Sequence, residues 1–331
     1  MIDAQHFAGK RVLITGGMGF IGSNLALRLV ELGADVTVVD AMIPGYGANL
    51  FNINPIRDKV TVNFADIRDQ QVMNYLVRDK DYVFHLAGQV DHVLSLSDPF
   101  PDIDINITGT AVVMEALRNH NPDAKVIYTG TRGQYGATVE LPVNEDAPTY
   151  PKGLHEISSL TAEKIIYMYH DIHKIPAVLL RLTNIFGERA QMKHPRYGVV
   201  NWFVRLAVDD AEIKVFGDGQ ILRDFLYIDD CIDAMLHTAI TDEAYGEIIN
   251  VASGKPVNFV ELADTLIDAA QSGRWSFAPF SPERAAQEPG HFYADISKIQ
   301  RLTNWHPSTS LADGLSKTVA YYRQHKEHYW E

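Results

Sequence analysis

The stretch VLITGGMGFIG sets Gly16, Gly19 and Gly22 three residues apart, between a run of apolar residues and an amphipathic segment. Glycines so placed permit a tight turn and a close backbone approach to a pyrophosphate. A helix opening at Phe20 and Ile21 would add free N–H groups and the positive end of its dipole. Asp40 ends the next apolar run, ADVTVVD, about 20 residues on, where a carboxylate accepts the adenosine ribose hydroxyls. The same carboxylate repels a ribose 2′-phosphate, so the expected cofactor is NAD rather than NADP. A second set of residues suits proton transfer. In HEISSLTAEK, His155 and Ser159 lie one turn apart on one helix face. An imidazole, with an unperturbed pKa of about 6.5, needs no helper to act near neutrality. The loop TYPKGL brings Tyr150 and Lys152 just ahead of that helix, and AKVIYTGT ends at Thr131 beside Arg132. A lone histidine at a helix start is more often structural, so the pattern alone leaves the base open.

These groups need a scaffold. KRVLITGG, ADVTVVD, KVTVNFADI, DYVFHLAG, AKVIYTGT and IPAVLLRLTNIFG read as buried strands, separated by helical or mixed segments. Strands alternating with helices imply a parallel doubly wound α/β sheet with right-handed crossovers. DIDINITGTAVVMEALRNH and HEISSLTAEKIIYMYHDIHK are its long helices. From about Tyr197 the texture changes to helical patches alternating with short strands such as EIKVFGDGQILRDF. The expected division is a Rossmann domain over 1–196 and a smaller mixed α/β substrate lobe over 197–331, partly interleaved with the first.

The bulk numbers narrow the class. The chain has 331 residues, 46% of them hydrophobic, enough for a full core. A net charge of −13 argues against a nucleic-acid or anionic-membrane surface. The single cysteine, Cys231, offers no internal disulfide and no cysteine-rich metal site, and no metal is expected. With no basic-then-apolar leader and no run long enough to span a bilayer, the expectation is a cytoplasmic protein.

Taken together, the motifs resemble the extended short-chain dehydrogenase/reductase family, the NAD-dependent nucleotide-sugar epimerases and dehydratases, over nearly the whole chain. FADIRD is similar to the family's adenine contact through Asp66 and Ile67. FHLAGQV is similar to its cofactor-lining strand end, Leu86, Ala87 and Gly88, with Gln89 next on the substrate side. INITGT matches its helix motif at Asn106 to Thr110, and YTGTRGQYG its Thr-containing strand with Thr129 and Thr131. RLTNIFG and GDGQILRDFLYIDD resemble its diphosphate-binding segments. The resemblance implies that Arg223 and Asn184 hold the diphosphate of a nucleotide sugar, with Arg284 in FSPERAAQE a second cation. AGQVDHVLSLSDPFPDIDINITGT and GVVNWF are similar to the CDP-paratose/tyvelose 2-epimerases. The resemblance also implies a homodimer, with helices 103–119 and 155–173 packed into a four-helix bundle.

One departure matters. Aligned through Ser158 and Glu163, the family's catalytic tyrosine falls on His155 and its lysine on Ser159. Tyr322 and Lys326 in YYRQHK have the right spacing, but they read as a coincidence on a solvated face. Three readings stay open: His155 is the base with Ser159 on the ribose; Tyr150, Lys152, Thr131 and Arg132 take over; or turnover is lost and NAD is structural. Where the dehydratases carry an Asp-Glu pair, this chain has Arg132 and Gly133, which disfavours 4,6-dehydration. The expectation is an NAD-dependent nucleotide-sugar epimerase with a non-standard acid/base group. Another reaction on the same substrates (dehydration, decarboxylation or oxidation) and a binding protein without turnover are the alternatives.

Overall fold

The apolar runs become strands, although Val60–Phe64, at the edge of the sheet, holds no fully buried residue. The computed structural model describes residues 2–330 apart from 138–139, 281–287 and 289. β1 (Arg11–Thr15), β2 (Asp35–Asp40), β3 (Val60–Phe64), β4 (Tyr82–His85), β5 (Lys125–Thr131) and β6 (Ala177–Leu182) form one sheet. With β10 (Ile248–Val251) at its edge, the order is β10-β6-β5-β4-β1-β2-β3. Every pairing in it is parallel. The chain runs outward from β1 to β3, then returns to β4 on β1's other side. In sheets of this kind the crevice at the carboxyl ends of the strands beside such a reversal is where ligands bind.

IPAVLLRLTNIFG reads as one strand, but the structure divides it between two sheets. β6 ends at Leu182, and the Thr183 hydroxyl donates to the Asp224 carbonyl (2.8 Å). β7 (Asn184–Phe186) then pairs in parallel with β9 (Leu222–Tyr227), which β11 (Pro256–Asn258) flanks antiparallel. β8 (Glu212–Phe216) and β12 (Arg274–Ala278) form a separate parallel pair. Thus β7, from within residues 1–196, joins the small sheet, while β10, from within 197–331, completes the large one. One continuous core holds residues of both, from Val12 and Ile14 to Phe203, Leu226 and Tyr322. Tyr322 is therefore not on a solvated face: it is fully buried, and its hydroxyl donates to the Ala190 carbonyl at 2.9 Å. Among the described residues no helix is long and apolar enough to cross a membrane.

Candidate active site

A cleft of about 1010 Å³ opens at the reversal between β1 and β4 and runs on to β9. Its cofactor end is built by contact distances that only glycine satisfies. Gly16 has φ +69°, and a Cβ there would stand 2.9 Å from Ala87 Cα. A Cβ on Gly22 would stand 2.3 Å from the Gly16 carbonyl oxygen. The helix Phe20–Glu31 starts at Gly19 without a side-chain cap, leaving first-turn N–H groups for a ligand. Asp40 lies beside the loop and accepts from Met18 N (3.1 Å) and Met42 N (2.9 Å). Burial raises its pKa, against those two backbone bonds. Asp66 also lines the cleft, paired at 2.6 Å with Arg68, whose hydrogen bond lowers its pKa.

The opposite wall is fixed by a hydrogen-bond chain that determines one histidine tautomer. Thr15 Oγ1 accepts from both Leu86 N and Ala87 N at 3.0 Å, which uses both of its lone pairs. Its proton therefore goes to His85 Nδ1, 2.9 Å away. His85 then carries its hydrogen on Nε2 and donates to Thr110 Oγ1 (3.0 Å), whose own proton goes to the Asn106 carbonyl (2.6 Å). Asn106 grips the backbone of Gln89 by both ends, accepting from its N–H at 2.8 Å and donating to its carbonyl at 2.9 Å. Burial pushes the His85 imidazole down to about 4, so the ring stays neutral as this chain requires.

Between these walls the helix Leu154–His173 presents His155 and Ser159. His155 is buried: its Nδ1 stands 3.8 Å from Asp102 Oδ2 without a hydrogen bond, and its ring meets His92 edge to face at 4.8 Å. Burial first, then His92, pushes its pKa down to about 4. That is far from the value a general base needs near neutrality. Two residues missed in the sequence stand beside it. His92 Nδ1 lies 2.9 Å from Glu156 Oε1. Burial works to raise the Glu156 pKa, but the hydrogen bond and charge of His92 outweigh it and hold the carboxyl at about 2. The signal available was Asp91, an N-cap residue that starts a helix at His92. Tyr150 and Lys152 do not come to the cleft; both are exposed, Tyr150 at 73%. The loop passes Gly136 through a backbone bridge to Tyr150 and turns the side chain outward.

Thr131 and Arg132 line the cleft at the end of β5. Thr131 Oγ1 accepts from Gly133 N (3.1 Å), and Arg132 lies over the Phe292 ring at 4.9 Å. Burial, and then the neighbouring Arg223, lower the Arg132 pKa to about 10. At the substrate end Asn184 donates to the Asp224 carbonyl (3.1 Å), while Arg223 is paired with Glu288 and donates to the Gly290 carbonyl at 2.6 Å. Gln89 lines the cleft, but its amide is turned back onto the backbone of Asp91. Arg284 lies outside the described residues. Of the other candidates, only Tyr150 and Lys152 fail to line the cleft.

Residues 12–252 match the NAD dependent epimerase/dehydratase family. The chain belongs to that family. It is 30% identical over 318 residues to a UDP-glucose 4-epimerase of Mycolicibacterium smegmatis, covering 95% of this chain and 98% of the relative. It is also 30% identical over 327 residues to a UDP-N-acetyl-alpha-D-glucosaminuronate decarboxylase of Bacillus cytotoxicus, covering 95% and 98%. Its fold matches the crystal structure of a Thermotoga maritima UDP-glucose 4-epimerase with UDP-glucose, with a TM-score of 0.87, 27% identity, and 96% and 99% of the two chains covered.

The glycine cradle, the uncapped helix start and Asp40 fit NAD, the cofactor on which this family depends. Gly16, Gly19 and Gly22 would receive its pyrophosphate, Asp40 its ribose, and the Asp66–Ile67 segment its adenine. When bound, NAD supplies a reversible hydride acceptor. Gly22→Ala places a methyl group against the Gly16 carbonyl, so NAD affinity should fall about tenfold or more. Titration calorimetry of the folded variant measures this, and unchanged affinity would refute the cradle.

Proposed function

We propose that this protein is an NAD-dependent epimerase of nucleotide-diphosphate sugars whose acid/base group is not the family's Tyr/Lys pair. What carries this reading is the continuity of one cleft, from the glycine loop past Thr131 and His155 to Asn184 and Arg223. A guanidinium suits a diphosphate because its fork donates to two oxygens and stays charged. Here Arg223 would exchange Glu288 for the phosphates, and Asn184 would donate beside it. Thr131 would hold the sugar hydroxyl that loses its proton. Arg132, with no ion pair or side-chain hydrogen bond among the described residues, would polarise the transient ketone.

The assembly in this reading is a homodimer. The helix Leu154–His173 exposes Ile157, Tyr167, Met168 and Ile172, a face suited to a helical seam. A buried free Cys231 suits a reducing cytoplasm.

The experiment is proton NMR of the protein in D2O with NAD and UDP-, GDP-, CDP- and dTDP-hexoses or hexuronates. The expected outcome is a new sugar without deuterium, in which the hydride has left and returned to one carbon. Deuterium at one position would favour a second reading, proton exchange beside a ketone as in dehydration or decarboxylation. One observation supports that alternative: the Glu156 side chain packs against Gly133, one of the two positions where the dehydratases carry carboxylates. No change with any donor, despite bound NAD, would mean a binding protein.

A further inference from the structure

We propose that His92, oriented by Glu156, takes and returns the substrate hydroxyl proton in place of the missing tyrosine. This inference rests on the epimerase reading and adds the residue that the reading lacks. Both rings at the start of this helix line the cleft, but the His155 side chain is only 9% exposed, whereas the His92 side chain is 53% exposed. The buried ring serves as a wall and the open ring reaches a ligand.

The position of His92 is built from several sides. Asp91 Oδ1 accepts from Val93 N (3.0 Å) and Leu94 N (2.9 Å), capping the helix His92–Ser97 and making His92 its first residue. Asp91 Oδ2 faces Arg196 at 3.0 Å, while Asn106 and the Gln89 side chain hold the preceding turn. Glu156 sits in a slot that two glycines leave open. A Cβ on Gly133 would stand 2.5 Å from Glu156 Cγ, and one on Gly153 would stand 2.3 Å from its Oε2. From that slot Glu156 Oε1 holds His92 Nδ1 at 2.9 Å. That bond leaves Nε2 as the nitrogen that is free to exchange a proton, and Nε2 has no hydrogen-bond partner among the described residues. A carboxylate behind an imidazole fixes its tautomer and stabilises the imidazolium that forms.

The balance is simple. The substrate O–H bond breaks as an N–H bond forms at His92 Nε2. The freed pair becomes the second bond of the ketone, and the C–H pair leaves as hydride to NAD. The reverse steps restore the hydroxyl and the neutral ring, with no further oxidant or reductant. Glu156 stays ionised throughout and is a positioning residue.

The test uses the full chain with NAD and the donor that most raises its melting temperature, chosen from UDP-, GDP-, CDP- and dTDP-glucose and the corresponding glucuronates. His92→Gln should lower turnover about 100-fold with donor affinity within about twofold of wild type. Added imidazole should restore turnover to His92→Gly in a saturable way, which a purely structural residue would not allow. Glu156→Gln should lower kcat about tenfold and leave KM within about twofold. The His92 imidazole proton signal, identified by its loss in His92→Gln, should move when the donor binds. Wild-type turnover with His92→Gln keeping its rate within about threefold would overturn this proposal alone, as would an unmoved His92 signal with donor bound. Wild-type protein that binds or turns over none of the donors would overturn the epimerase reading, and this proposal with it.

Discussion

Replacing Glu163 with alanine is expected to cost about 3–5 kcal/mol of stability, because it strands a buried cation. Arg181 lies in β6, where every other side chain is apolar and all six residues are buried. Its Nε and Nη2 donate to the two carboxylate oxygens of Glu163, both at 2.8 Å, and Gln134 adds a third donor at 3.2 Å. The guanidinium also lies over the Tyr135 ring at 4.6 Å. Burial works against its charge, but the hydrogen bond and charge of Glu163 together with Tyr135 outweigh that and hold its pKa above the ordinary value. Removing Glu163 leaves only Tyr135 to offset the desolvation cost. Replacing both partners with apolar residues, Glu163→Leu with Arg181→Met, should cost far less than the single change, since no charge is then left buried. Urea unfolding of the two single variants and the double variant measures the coupling. Additive effects would show that the pair contributes nothing beyond its separate parts. The pair also bears on chemistry: it ties the helix carrying His155 and Ser159 to β6 and, through Gln134, to the turn after Thr131. Glu163→Ala should therefore lower activity even where the protein remains folded.

That pair also marks how far the sequence could be read. Glu163 was legible as a register mark on the helix, but its partner is a residue in a strand that otherwise reads as apolar, and only the fold brings them together. The cofactor half was readable because its signals are local: three glycines, a helix start and a carboxylate at the end of the next strand all act within about 30 residues. The acid/base half was not, because it depends on which rings face the cleft. His155 drew attention through its register; its ring lines the cleft but is mostly buried, packed beside Asp102 and His92. His92 and Glu156 are unremarkable in sequence, and their pairing depends on Gly133 and Gly153 lacking side chains. Tyr322 failed in the opposite direction. Its charged neighbours suggested solvent, but the helix Leu311–His325 buries one face, Leu315, Thr318, Val319 and Tyr322 among it, in the core. The exchange of β7 and β10 between sheets likewise follows from tertiary pairing, which periodicity does not encode.

Acidification should destabilise the protein through His85, by about 3 kcal/mol between neutrality and pH 4. The sign follows from the buried ring. Its pKa is about 4 in the folded chain against an ordinary value of 6.5. Between those values the unfolded chain binds the extra proton and the folded chain does not, so stability falls as pH drops through that window and flattens below it. The hydrogen-bond chain explains why the folded state refuses the proton. His85 Nδ1 must accept from Thr15 Oγ1, whose lone pairs are already used by Leu86 N and Ala87 N. A proton on Nδ1 would face the Thr15 hydroxyl proton with no acceptor left, and the amides that shape the cofactor wall would lose theirs if Thr15 turned. Buried carboxyls with raised pKa values, such as Asp40, Asp102 and Asp224, work in the other direction over part of the range. The measurement must therefore be a difference. His85→Gln retains a donor and an acceptor for the two threonines but does not titrate. Urea unfolding at pH 7, 5.5 and 4.5 should show wild type losing stability relative to the variant as pH falls, and curves that stay parallel would refute the argument. Because the same ring braces Leu86, Ala87 and, through Thr110, Asn106, wild type should also lose NAD affinity over this window faster than the variant does.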